Sequence, residues 1–154
     1  MANGYHQLVV FKLDQLRFGL RLEAVERVER AVEVTPLPQA PDNVLGVVNL
    51  QGQVVPVFNV RRRFLLPERE VDPRDQFIFV RTERRNVALA VDAVADVIAA
   101  GELDVTASKA ILPGLECVEG VVKLDDGLVV IHDLDRFLSL EEEVVLEKAL
   151  RSDD

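Results

Sequence analysis

An all-β architecture with a few short helices, built as two small barrels packed side by side, is what the sequence predicts. Three observations carry that prediction. The chain repeats itself, its apolar residues fall in short runs separated by Gly, Pro, Asn and Asp, and helical signals are confined to three brief stretches. Strands this short leave many open edges, and curling the sheets into barrels removes them.

The repeat has two registers. Leu8–Leu13 resembles Phe77–Thr82 and Phe18–Val25 resembles Val87–Val94, an offset of 77 minus 8, or 69. Gly46–Leu50 resembles Gly120–Leu124 and Val54–Val60 resembles Leu128–Leu134, an offset of 120 minus 46, or 74. A longer loop between Ala99 and Glu119 absorbs the difference, since Gly101, Ser108, Pro113 and Gly114 break any regular pattern there. The chain thus reads as a single domain over 1–154. Its approximate lobes are 7–70 and 75–138, with strand exchange between them open, and a C-terminal helix and frayed tail occupy 139–154.

Taken in order, the apolar runs predict strands over 7–13, 16–22, 45–50, 53–58, 76–82, 86–92, 119–124 and 127–132. Asp14-Gln15 and Glu83–Asn86 turn the first hairpin of each copy. Gly52 and Gly127 supply positive φ in the turns of the second hairpins. Pro36, Pro38 and Pro41 hold an extended loop, because proline lacks the amide hydrogen that a helix or a central strand needs. Asn59 and Asp133, at equivalent places, can cap short helices over 60–65 and 134–138 through their side-chain oxygens. Ser139-Leu140-Glu141-Glu142 fits a capping box opening a last helix, with Leu140, Val144 and Val145 as its apolar stripe and Arg151–Asp154 fraying.

Composition narrows the function. Of 154 residues, 27 are acidic and 18 basic, a net charge of −9, which disfavours nucleic acid because phosphates reward clustered cations. No apolar run approaches the ~20 residues that span a bilayer, and the amino terminus lacks a secretory leader, so a cytoplasmic protein without direct membrane insertion is expected. The single cysteine, Cys117, can form neither an intramolecular disulfide nor a thiolate cage.

Groups able to do chemistry are few: His6, His132, Cys117 and scattered carboxylates. His132 could pair with Asp133, Asp135 or Cys117 in a small hydrolase, against the plainer reading of a strand-end histidine with a satisfied ring nitrogen. His132-Asp133-Leu134-Asp135 offers too few converging ligands for a metal. No phosphate-binding glycine loop or dinucleotide fingerprint is present, and no cofactor is expected. Arg61-Arg62-Arg63 reads as a solvated helix face balancing an acidic surface, Arg81, Arg84 and Arg85 as a looser basic group, and Glu141–Glu143 as a helix start favoured by the macrodipole.

The segment Pro38-Gln-Ala-Pro41-Asp-Asn-Val-Leu-Gly46-Val-Val-Asn49-Leu-Gln51-Gly52-Gln-Val-Val-Pro56-Val57 resembles the central signature of CheW-like chemotaxis coupling proteins. Leu8–Val28, with Phe18-Gly19-Leu20 and Val25-Glu26-Arg27-Val28, is similar to that family's first strands, and Val87–Val97 and Gly120–Phe137 match in the second copy. The resemblance implies two five-stranded SH3-like barrels sharing an apolar core. It also implies a non-enzymatic adaptor that couples methyl-accepting chemoreceptors to a CheA-type histidine kinase at membrane receptor arrays. One barrel would contact the kinase regulatory domain, and a groove between barrels would grip the helical hairpin at the chemoreceptor cytoplasmic tip. The adaptor would act as a monomer or a weak ring oligomer with its partners.

Carried over position by position, the resemblance makes Val25, Arg27 and Val28, then Asn49, Gln51 and Gly52, and in the second copy Val94 and Val97, candidates for partner contacts. A core role competes at each valine, and a turn requirement competes at Gly46 and Gly52. Gln51 stands where the family carries Arg, Arg27 where it carries Glu, and Asn59 where it carries Asp. Arg27 could supply the cation lost at Gln51. The two changes also raise an alternative, a diverged scaffold serving a non-chemotaxis kinase cluster without ordinary receptor binding.

Overall fold

The computed structural model describes residues 7–99, 105–107, 118–125 and 127–152. Eleven strands are found among them: β1 (Gln7–Leu13), β2 (Leu16–Arg21), β3 (Val25–Arg30), β4 (Val44–Leu50), β5 (Gln53–Phe58), β6 (Gln76–Arg81), β7 (Asn86–Val91), β8 (Ala93–Ala99), β9 (Val105–Ala107), β10 (Val118–Leu124) and β11 (Gly127–His132). One sheet has six strands in the order β8-β1-β2-β11-β10-β9, and the other has five in the order β3-β6-β7-β5-β4. Each sheet therefore draws strands from both halves of the chain. The hairpins are joined by two equivalent parallel pairings, β2 with β11 at Phe18 and Val130, and β5 with β7 at Val57 and Ala88.

Two five-stranded barrels need correcting in count and closure. β9 adds a sixth strand to one sheet, and among the described residues no pairing joins β8 to β9 or β3 to β4. Edges are protected by other means. Beside β4, Thr35 and Val47 exchange backbone hydrogen bonds of 2.9 and 2.8 Å, and β3 carries the charged run Val-Glu-Arg-Val-Glu-Arg, a common way of discouraging edge pairing.

The eight strands expected from apolar runs are all present, each within a residue at either end. β3, β8 and β9 are additional to these. β8, apolar at every position but Asp96, follows β7 with only Asp92 between them, whereas β3 lies at a sheet edge with most of its residues exposed, so little burial imprints a pattern on it. β6 illustrates the opposite case. Phe77 and Phe79 enter one core cluster while Ile78 and Val80 enter another, which makes the strand apolar on both faces.

Three clusters hold the molecule together. One, with Leu8, Val10, Val122, Val129 and Ile131, lies on the first sheet alone, and one, with Val48, Val55, Val57, Phe77, Phe79 and Ala88, on the second alone. The largest takes Phe11, Phe18 and Leu20 from one sheet and Phe58, Ile78 and Leu89 from the other, joining them face to face.

The helices follow their caps. α1 (Val60–Arg63) begins where Asn59 Oδ1 accepts the Arg62 N–H at 3.1 Å, and it ends two residues earlier than expected. Asp133 Oδ1 accepts the Asp135 N–H at 3.2 Å above a single 3₁₀ turn, Leu134–Arg136. The capping box at Ser139 forms in both directions: Ser139 Oγ accepts from Glu142 N at 3.1 Å, and Glu142 Oε1 accepts from Ser139 N at 2.9 Å. α2 (Leu140–Ser152) then buries Leu146 and Ala149 in the intersheet core. Val144 and Val145, expected on its apolar stripe, are exposed. Arg85, from the loose basic group, pairs with Glu143 and Glu147 and so ties the β6–β7 turn to this helix. Arg151 and Ser152 are the last residues of this helix, and 153–154 of the expected tail lie outside the described residues. No helix of the described residues is long and apolar enough to cross a membrane.

Arg61 overturns the reading of its triplet as a solvated face. Its side chain is 9% exposed. Nη1 donates to Asp14 Oδ2 at 3.1 Å and to the Pro67 carbonyl at 2.9 Å, and Nη2 donates to Asp14 Oδ1 at 2.9 Å and to both Asp92 oxygens at 2.8 Å. The β1–β2 turn, the start of β8 and α1 thus meet on one guanidinium.

Candidate partner-binding surface

The candidate residues fall into two groups. The first is the β4–β5 hairpin and the strand facing it. Gln51 at φ +53° and Gly52 at φ +88° form the two-residue turn, and Asn49 Oδ1 accepts the Gly52 N–H at 2.9 Å. Asn49 therefore spends its side chain on the turn, and Gly52 meets the conformational demand expected of it. Gln51 is left exposed at the tip. Gln51 and Arg27 line the same open groove of about 540 Å³, whose apolar floor includes Val55 and Phe79. The two departures from the family pattern are brought together here, although 24 residues separate them in sequence, 51 minus 27. Arg27 is engaged with Glu29 at 3.2 Å across an exposed surface, an ion pair of low intrinsic worth that a partner carboxylate could exchange.

The second group is the four valines on β3 and β8. Val25 and Val94 pack against the intersheet core, whereas Val28 is 38% and Val97 47% exposed. One valine of each strand thus anchors it and the other faces outward. β3 and β8 are outer strands of different sheets. The Val94 N–H donates to Gln76 Oε1 at 2.8 Å, and Gln76 pairs with Arg30 in the β3–β6 ladder, so the end of β3 and the start of β8 are neighbours.

Chemistry finds little to work with among the described residues. His132 is 3% exposed, and among the described residues neither ring nitrogen has a hydrogen-bond partner. Phe137 stacks on it at 5.5 Å and Phe64 meets it edge-on at 5.2 Å. Burial, with a smaller push from the Arg63 charge, lowers its pKa to about 3. The ring is therefore neutral at neutral pH, packed between two phenyl groups. No three His, Cys, Asp or Glu side chains of the described residues could hold a metal ion. His6 and Cys117 lie outside the described residues.

His132 carries a stability prediction. Its pKa is about 3 folded against 6.5 unfolded, so the unfolded chain takes up the proton first. The favourable neutral burial is fully present above pH 6.5 and declines as pH falls below it. By linkage, at ~1.4 kcal/mol per pH unit, stability at pH 5 should be about 2 kcal/mol lower than at pH 7. Urea titrations at both values check this. His132→Phe, which copies Phe58 at the equivalent place in the first repeat, should remove most of the decline.

Sequence reasoning missed Arg61 and its carboxylates. The three-arginine run hid it, because nothing in sequence spacing shows that Asp14 and Asp92, 78 positions apart, converge on the first of the three.

The family model described as CheW-like domain matches residues 7–142. The chain is similar to the chemotaxis protein CheW of Treponema pallidum, at 28% identity over 88% of this chain and 84% of that one. It is similar also to the chemotaxis protein CheW of Rhizobium meliloti, at 29% identity over 92% and 93%. Its fold is similar to the crystal structure of the scaffolding protein TtCheW from Thermoanaerobacter tengcongensis, with a TM-score of 0.81 and 28% identity over 89% of this chain and 94% of that one. The two-sheet arrangement is accordingly the SH3-like fold that the sequence motifs implied.

Proposed function

This chain belongs to the CheW-like domain family, and on that premise we propose that it is a non-enzymatic scaffold coupling chemoreceptors to a CheA-type histidine kinase. The observation that carries the reading is the family match over nearly the whole chain. It would work in the cytoplasm at membrane receptor arrays, as a monomer or in weak rings with its partners.

We assign the work to two surfaces. Val28 and Val97 are the outward apolar positions on β3 and β8, suited to the small apolar residues of a helical hairpin, and the receptor tip is assigned there. The groove holding Arg27 and Gln51, with polar rim and apolar floor, is assigned to the kinase regulatory domain. Gln51 cannot make the bidentate carboxylate contact that Arg makes, and Arg27 on the same rim provides a cation in its place.

Titration calorimetry with a receptor signalling fragment and with the kinase regulatory domain tests this. Binding to both is expected. Val28→Glu and Val97→Glu should each weaken the receptor fragment at least tenfold while stability moves by only about 0.5 kcal/mol, as for exposed sites generally. A folded protein that binds neither partner would refute the assignment. Binding to the kinase domain alone would favour the diverged scaffold that the changes at Gln51 and Arg27 motivate.

A further inference from the structure

β3 and β8 belong to different sheets and share no strand pairing, yet a helical hairpin lying across both would require a fixed spacing between them. One side chain touches the supports of both strands. Arg69 Nη2 donates to Asp75 Oδ1 at 2.8 Å and to Asp92 Oδ1 at 2.6 Å, while Nη1 donates to Asp75 Oδ2 at 2.9 Å.

Asp75 belongs to the β3 side. Its carbonyl accepts the N–H of Ala31, the residue after β3, at 3.0 Å. Its carboxylate is nearly buried, 8% exposed, and also accepts the Asp72 N–H at 2.8 Å. Asp92 belongs to the β8 side. It stands directly before that strand, its N–H donates to the Lys12 carbonyl on β1 at 3.0 Å, and its carboxylate is shared with Arg61. Arg69 comes from the segment between α1 and β6, where no regular element is formed. Its planar fork holds Asp75 bidentately and reaches Asp92 at the same time, a geometry that a single ammonium cannot reproduce.

We propose that Arg69 is a positioning residue: by bridging Asp75 and Asp92 it sets the spacing of β3 and β8, so that Val28 and Val97 meet a receptor hairpin together. The inference rests on the assignment of the receptor tip to these two strands. Arg69 is not itself a contact residue. It acts through the carboxylates at the ends of the strands, on the side where the Gln76–Val94 hydrogen bond also ties them.

The test uses the full chain with Arg69→Gln and, as a milder variant, Arg69→Lys, which keeps the charge and loses the fork. Spin labels placed at Val28→Cys and Val97→Cys in a Cys117→Ser background report the strand spacing by pulsed electron resonance without any partner. Both variants should unfold cooperatively, should shift or broaden the label distance, and should bind the receptor signalling fragment at least tenfold more weakly, with kinase-domain affinity within threefold of the parent. An unchanged label distance would overturn the proposal, as would a parallel loss of affinity for both partners or full rescue by lysine. If the parent protein binds no receptor fragment, the receptor assignment fails, and the label distance still decides whether Arg69 spaces the strands.

Discussion

Gly46→Ala should lower the unfolding free energy by about 4 kcal/mol, enough to consume a large part of the 5–15 kcal/mol typical of a domain. Gly46 lies inside β4 at φ +154°, at the bulge where Leu45 is left without a partner opposite β5. A methyl group there would be driven into the Thr35 carbonyl oxygen and to 2.8 Å from Val34 Cγ1. That carbonyl cannot retreat cheaply, since it accepts the Val47 N–H at 2.8 Å and Val47 returns the bond to Thr35 at 2.9 Å. Backbone strain and overpacking each cost about 1–3 kcal/mol, and at this site they add. Gly52→Ala is the control. It also has positive φ, 88°, but a Cβ there meets nothing within 4 Å, so only the left-handed penalty of about 1–2 kcal/mol applies. Urea unfolding of both variants should separate them by about 2 kcal/mol or more; equal losses would show that the Thr35 contact is of no consequence.

Arg61→Met should cost about 3 kcal/mol. Breaking a buried pair by removing one partner is worth roughly 3–5 kcal/mol, because the other charge is left without compensation. The lower end applies, since Asp14 is 45% exposed and can rehydrate, and Asp92 keeps Arg69 at 2.6 Å. Arg61→Lys should recover only part of the loss, because one ammonium cannot serve two carboxylates and a carbonyl in a planar fork. The pH dependence carries a second signature. Burial alone would raise the Asp92 pKa, but hydrogen bonds from Arg61 and the Asp14 N–H, with the charges of Arg61 and Arg69, bring it below the ordinary 3.8. The stabilisation is therefore complete above that value and is lost as pH falls through the lowered one. Arg61→Met should shrink this acid-limb contribution along with the stability at neutral pH, and fluorescence-free methods such as circular dichroism suit a chain without tryptophan.

Residue order alone was sufficient where one strand's burial is written in its own side chains. Phe77, Phe79 and Val55 are apolar because both faces of their strands are covered, and caps such as Asn59 and Ser139 act within three residues of themselves. Turns were legible for the same reason, since Gly52 answers a local demand on φ. Gly46 falls inside the strand expected over 45–50, but no turn demands glycine there: the requirement comes from Thr35, eleven positions away and on another segment.

What the sequence by itself determined is the all-β body, its duplicated hairpins and the family to which its motifs belong, because hydrophobic period, turn chemistry and repeated motifs are short-range properties of the chain. Only the tertiary structure decided which hairpins share a sheet, that Arg61 is buried while its neighbour Arg62 is half-exposed, and that Arg27 shares a groove with Gln51. Those outcomes depend on how two sheets close over one apolar layer. Charges tens of residues apart meet where that closure puts them, and no local pattern encodes the distance between them.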